Sequence, residues 1–253
     1  MADDPDQGQV ARGPGGRVTG SPAEQQTWAE RDARLEAMTR IVLRPIGSPT
    51  ALGLFGLAGA TWVLAGLQLG WIEAAEGKNV AIVAMGFAFV AQLVACIFAF
   101  LARDGVVATA MGELALIWLV IGLVTYTSPA GSKSDALGLF LLFAGVSMFL
   151  TASTAATSKL VPALVFGTAA TRFLLGGIDQ LTGKEIWEDL AGLVGVALAL
   201  LAIYAAWAAE LEDAHGKTVL PFGRRGKGRE AAENSLLDQV RELDNKAGVK
   251  KQL

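Results

Sequence analysis

Six hydrophobic stretches, each of about 20 residues, follow one another between Ala51 and Ala209. A helix needs about 20 apolar residues to cross the hydrocarbon core of a bilayer. In lipid the backbone must satisfy its own polar groups, which predicts a spanning helix for each stretch. The spans read as 51–72, 80–102, 105–126, 136–156, 160–178 and 190–209. The expected fold class is an all-α membrane protein, a six-transmembrane-helix bundle with the lipid bilayer as its first partner.

Charge is sparse and peripheral. The chain is 53% hydrophobic and 18% charged, with most charges before Pro45, after Glu210 or in the breaks between stretches. A net charge of -3 gives no ground for nucleic-acid binding. The single cysteine, Cys96, lies inside a stretch and excludes an intrachain disulfide. The single histidine, His215, excludes a cage or relay of several histidines. No metal, cofactor or enzyme active site is expected. The first 50 residues lack the apolar core of a signal peptide, so the first span is expected to direct insertion.

Orientation follows from lysine and arginine in the short flanks. With a cytosolic N-terminus, the inside segments hold Arg40, Arg44, Arg103, Lys159, Lys217, Arg224, Arg225 and Lys227. The outside loops then hold Lys78, Lys133 and Lys184. Both termini are therefore expected in the cytosol, with the protein in the plasma membrane.

Three regions result. Residues 1–46 form a cytosolic N-terminal region, with 1–20 expected to be disordered from their Gly/Asp/Pro content. Ser21, Pro22 and Glu24 form a helix-start signal, and Arg44-Pro45 ends a helix expected over 22–43. Its Trp28, Leu35, Met38 and Val42 share one face, suited to the protein's own cytosolic surface, to headgroups or to a partner. Residues 47–210 form the transmembrane domain and 211–253 a cytosolic tail. That tail opens on a basic run suited to anionic headgroups and continues into an amphipathic stretch at Leu236, Leu237, Val240 and Leu243.

Ala51-Leu52-Gly53-Leu54-Phe55 recurs as Ala136-Leu137-Gly138-Leu139-Phe140. A three-helix repeat would give halves of opposite orientation, a transporter plan in which solute passes between the halves. In the second span Ala84, Ala88, Ala91, Ala95 and Ala99 form a stripe of small residues that lets a neighbouring helix come close. Three residues break the apolar pattern: Gln92, Glu113 and Arg172. A charged side chain at the bilayer centre costs about 2.5–3.5 kcal/mol on insertion scales. Two readings stand. Glu113 and Arg172 form a structural ion pair or Arg172 snorkels; or Arg172 binds a carboxylate on a pathway, with Glu113 tuning it or carrying a proton.

Ser48-Pro49-Thr50-Ala51-Leu52-Gly53-Leu54 resembles the Asn-Pro-Ala-Pro-Leu-Gly-Leu signature of the acetate–succinate permease (YaaH-type acetate uptake) family, with Pro49, Leu52, Gly53 and Leu54 matching. Gln92, Ala108-Thr109-Ala110 and Trp118 are similar to its second- and third-helix patterns. Tyr204 and the segment Gly216-Lys217-Thr218-Val219-Leu220-Pro221-Phe222-Gly223 resemble its closing motif, so the likeness covers about residues 47–223. The resemblance implies six helices around a pore in each protomer, a hexamer, and uptake of small monocarboxylates coupled to protons. It places the pore constriction at Leu57, Leu114 and Thr168, where the family has Phe, Tyr and Leu. Ser48 and Ala51 depart from the signature. Glu113 and Arg172 stand where the family is usually uncharged.

The leading expectation is a transporter or channel for a small monocarboxylate such as acetate, with Gln92, Glu113 and Arg172 on the pathway. Thr168, four residues before Arg172, would add a hydroxyl on the same helix face. The alternatives are a pore for a dicarboxylate, neutral or cationic solute, and a transport-inactive scaffold that binds partners through its cytosolic tails.

Overall fold

The computed structural model describes residues 30–31, 47–102 and 104–225. Six helices are long and apolar enough to cross a membrane: α1 (Thr50–Gln68), α2 (Ala74–Leu101), α3 (Gly105–Thr127), α4 (Asp135–Ala156), α5 (Leu160–Thr182) and α6 (Glu185–His215). They lie in one compact unit, residues 46–233; the helical pair Glu30–Arg31 belongs to another. Apart from that pair, the helix expected over 22–43 lies outside the described residues, as do the stretch from Leu236 to Leu243 and the disorder expected over 1–20.

Local chemistry sets the helix ends. Asp104 caps α3 by accepting from the Val107 amide at 3.1 Å, and Ser134 caps α4 by accepting from the Leu137 amide at 3.3 Å. Each cap satisfies an amide that a helix start leaves unpaired. Helix α1 stops earlier than expected, at Gln68. Gly70 takes a left-handed conformation (φ 69°), and the Trp71 amide turns back to the Gly66 carbonyl at 2.8 Å. That is a Schellman ending, which glycine adopts without a Cβ clash. Helix α6 is longer than expected at both ends and carries the boundary expected at 210 inside it. Its acidic residues at 185–189 and 210–213 lengthen the helix beyond its apolar part.

Each helix packs against the next in chain order, and α6 returns to pack against α1, which makes a ring. Glycine and alanine set its tight contacts, as close approach of backbones in a membrane requires. Gly53 and Gly56 of α1 face Ala95 and Ala91 of α2, and Gly138 and Gly177 bring α4 against α5. The whole alanine stripe of α2 is buried as expected. Within α2, Ala84–Phe89 winds as a π-helix, a local widening that shifts the register of the stripe. Leu139, Phe143, Val146, Phe149 and Leu150 of α4 stay exposed on the outside of the ring, a surface suited to lipid. Two ends can be distinguished: a tail end, where α3 and α5 begin and α6 finishes, and a loop end, where α1 finishes and α4 and α6 begin.

Candidate functional site

Polar side chains inside the ring are few and conspicuous. Arg172 of α5 is 3% exposed, and Thr61 and Gln92 are fully buried. Arg172 Nη2 donates to Gln68 Oε1 at 2.9 Å, and the guanidinium carbon stands 5.9 Å from the centroid of the Trp118 ring. That distance permits a cation–π contact. Helix α5 packs on α4 and α6, yet Arg172 reaches α1 and α3. Its side chain therefore crosses the interior of the ring. Gly195 of α6 makes room for it: a Cβ there would lie 2.7 Å from Arg172 Nε and 3.0 Å from Ala65 Cβ.

Close contacts fix the depths of these groups. Gly56 meets Ala91, which sets Gln92 at the depth of Gly56; Gly195 meets both Arg172 and Ala65, which sets Arg172 at the depth of Ala65. Nine residue steps of α1 separate those levels, about 14 Å at 1.5 Å per residue. Thr61 lies between them and Gln68 one turn beyond. The polar groups thus form a ladder along the ring interior. Several rungs have spare capacity: Arg172 Nε, Trp118 Nε1, Gln92 Nε2 and Oε1 and Thr61 Oγ1 are buried without a hydrogen-bond partner. An unmatched buried polar group costs about 1–3 kcal/mol, which makes this ladder the candidate site.

The other expected residues divide. Leu57 and Leu114 are fully buried in the core, and Phe166 is buried in it too. Thr168 is half-buried, and its hydroxyl donates to the Leu164 carbonyl at 2.8 Å, one turn back on its own helix. Glu113 is half-buried on the stripe of α3 that carries exposed Thr109, Leu116 and Leu123, and it faces away from the ladder. The Glu113–Arg172 ion pair is not formed. Glu113 lies five residues, about 8 Å along the axis, before Trp118, the residue of α3 that Arg172 approaches, and on a different stripe of the helix. Arg172 has neutral Gln68 for its partner instead. Gln68 and Thr61 were not singled out by sequence; they share a face with Leu57 at helical spacing, but each looks like ordinary polar punctuation of an apolar span.

The signature and closing motifs have structural duties. Pro49 starts α1, its carbonyl accepting from the Gly53 amide at 3.3 Å; Leu54 is buried and Leu52 exposed. After Gly216 (φ 64°) ends α6, the chain folds back over the start of α5. The Tyr204 hydroxyl donates to the Pro221 carbonyl at 2.9 Å, and Thr218 donates to Glu212 at 3.3 Å. The Leu160 and Val161 amides donate to the Gly223 and Phe222 carbonyls at 2.9 and 3.3 Å, which caps the start of α5. Val219 stays exposed and Leu220 half-buried. Arg224 pairs with Glu212, and Lys159 with the α3 cap Asp104 at 3.3 Å.

At the loop end a cavity of about 160 Å³ opens beside Leu67, lined also by Lys78, Val124, Gln180 and Glu188. Lys133 spans this end, bonded to Asp179 at 2.8 Å and to Glu188 at 2.7 Å. Burial alone would lower the Lys133 pKa. Its two carboxylate partners outweigh burial and raise it above the ordinary lysine value.

The sequence model of the GPR1/FUN34/yaaH family matches residues 33–221. An uncharacterized protein of Methanothermobacter thermautotrophicus is 27% identical over 187 residues, 69% of this chain and 90% of the relative. The succinate-acetate/proton symporter SatP of Escherichia coli K12 is 27% identical over 185 residues, 70% of this chain and 96% of SatP. Among solved structures, that of the bacterial acetate channel SatP superposes with a TM-score of 0.64 at 24% identity, covering 70% of this chain and 99% of that one. The last comparison establishes a shared fold. Together with the six apolar helices, it makes this a multi-pass membrane protein.

Proposed function

The chain belongs to the GPR1/FUN34/yaaH family, and from that membership we propose that its helix ring is a transmembrane pathway for a small monocarboxylate such as acetate. The observation that carries this reading is the donor set around Arg172. A guanidinium and an indole N–H both donate, and each keeps a buried hydrogen without a partner. A carboxylate accepts from both, and charge-assisted bonds to it are roughly twice as strong as neutral ones. The named relatives point the same way, one being a symporter for succinate and acetate.

Leu57, Leu114 and Phe166 supply an apolar neck on the tail side of Arg172, which fits exclusion of hydrated ions. Thr168 has its hydroxyl engaged by its own helix, and Phe166 supplies the bulk on α5. The cavity beside Lys78 serves as the mouth at the loop end. Matching glycine contacts between the first and second helices of each half, Gly53 with Ala95 and Gly138 with Gly177, support an inverted three-helix repeat.

The reading extends to a homo-oligomer, a hexamer by family resemblance, in the plasma membrane with both termini cytosolic. Glu113 supports the oligomer. A carboxylate on the outward stripe of α3 would meet lipid in an isolated ring, and a neighbouring copy would cover it. Labelled-acetate uptake into proteoliposomes, compared with protein-free vesicles and with Arg172→Ala, tests the function. Protein-dependent uptake that the variant loses supports it. Absence of uptake by the folded wild-type protein overturns it. Native mass measurement counts the subunits.

A further inference from the structure

We infer that residues 128–134, which join α3 to α4, form a strap over the loop-end mouth, that Lys133 latches it shut, and that release of the latch admits solute. The inference rests on the pathway proposed above and gives its entrance a moving part. Each of the six helices contributes to the wall of the loop-end cavity, through Leu67, Lys78, Thr125, Leu137, Gln180 and Glu188 in chain order. Only a space on the axis of the ring touches all six. Leu67 precedes Gln68, the partner of Arg172, so the cavity reaches to within a residue of the ladder. The remaining wall includes five consecutive residues of the strap, 128–132.

The strap is built to move as one piece. Gly131 takes a left-handed conformation (φ 73°), and the Ser132 amide and hydroxyl both donate to the Pro129 carbonyl, at 3.1 and 2.8 Å. These bonds close a tight turn whose third position favours glycine. Among the described residues, no hydrogen bond joins 128–132 to a helix other than α3. The tethers lie at 133 and 134. Lys133 Nζ donates to both oxygens of Asp179, at 2.9 and 2.8 Å, and to Glu188 at 2.7 Å; the Ser134 amide donates to Gln180 Oε1 at 3.0 Å. One lysine thus ties the strap to the end of α5 and the start of α6. The side chains of Lys133 and Glu188 are 28% and 35% exposed, and water weakens such a pair, so it breaks readily. Asp179 is buried. With Lys133 gone, its carboxylate keeps, among the described residues, the Gln180 amide at 3.5 Å, and a buried carboxylate left so is costly. The latch therefore opens briefly and recloses, and the mouth rests shut.

The test uses the full chain in a Cys96→Ala background. Leu137 lines the cavity and is buried, so the rate at which Leu137→Cys reacts with a bulky water-soluble maleimide in detergent reads the open latch. Lys133→Met should raise that rate severalfold, and Lys133→Arg, which keeps the charge, should hold it close to the parent's. In proteoliposomes, Lys133→Met should also raise protein-dependent uptake of labelled acetate severalfold. Gly145→Ala controls for a loosened bundle. Its Cβ would meet Leu174 Cγ at 2.6 Å and the Ala170 carbonyl oxygen at 3.1 Å, which parts α4 from α5 about 12 Å along α4 from Leu137. It should leave the labelling rate unchanged. Unchanged labelling in Lys133→Met, or an equal rise in Gly145→Ala, overturns the inference. So does faster labelling in Lys133→Met with acetate uptake no greater than the parent's measured uptake. Faster labelling with no protein-dependent uptake by any of these proteins overturns the pathway reading and leaves the strap in place.

Discussion

The contact between α4 and α5 turns on two glycines that face each other. A Cβ added at Gly177 would lie 2.9 Å from the Gly138 carbonyl oxygen, and one added at Gly138 would lie 3.1 Å from the Gly177 oxygen. Leu181 and Leu142 side chains crowd the same two points at 2.7 and 2.9 Å, but the backbone oxygens cannot rotate away as a side chain can. Reaching ordinary contact at 3.4 Å requires the helices to part by about 0.3–0.5 Å, and a gap at the upper end of that range already forfeits about a quarter of each dispersion contact along the interface. Overpacking of this kind costs about 1–3 kcal/mol. Gly177→Ala and Gly138→Ala should each destabilise by that amount. The double variant should cost little more than the worse single one, because one separation relieves both clashes. Gly167→Ala on the same helix is the control. Its Cβ would have only Ala152 Cβ, at 4.0 Å, within reach, and alanine favours a helix over glycine by about 0.8–1.0 kcal/mol. It should be neutral or stabilising. Thermal unfolding in detergent reads all four proteins. Additive losses for the pair, or equal losses at Gly167, would refute the reasoning.

Three further outcomes are expected. Gly223→Ala forces an alanine to φ near 67° with its Cβ 2.7 Å from that of Leu160, so the closing segment should lift from α5; the left-handed conformation alone costs about 1–2 kcal/mol, readable as a lower melting temperature and faster proteolysis at the tail end. The Lys133 pKa is raised in the folded state, so its bonds to Asp179 and Glu188 stabilise below the ordinary value of 10.5 and are lost as pH rises through the folded value; the stability difference between wild type and Lys133→Met should shrink above about pH 10.5. Glu113→Gln should leave acetate flux unchanged, because the residue stands off the ladder, and a tenfold loss of flux in a well-folded variant would place Glu113 on the pathway.

Most of the fold was legible because a bilayer imposes so simple a rule. Twenty apolar residues in a row allow almost one structure, and six such runs located all six helices. Their ends were less legible. Hydropathy passed over Gly70, whose backbone freedom stops α1 at Gln68, and it could not register Glu185 or Glu212 as helical, since polar turns beyond the apolar part carry no apolar signal. At the site, Arg172 and Gln92 stood out because polarity inside a span is rare. Their neighbours did not. Which residue meets Arg172 depends on how six helices close into a ring, and neither Gln68, 104 residues earlier, nor the outward turn of Glu113 follows from spacing within one helix.

The ring also imposes an order on biosynthesis. Gln68 and Trp118 leave the ribosome before Arg172, so the groups that receive the guanidinium are already in the membrane when the charged helix arrives. The most expensive residue to insert meets a prepared host. Helix α1 has the opposite history: its long contact with α6 forms only when the sixth span is delivered, and until then its Thr61 and Gln68 must rest against lipid or the insertion machinery. A chain interrupted after α5 would hold its arginine in place and leave the first helix without its partner, a half-built wall that quality control could recognise.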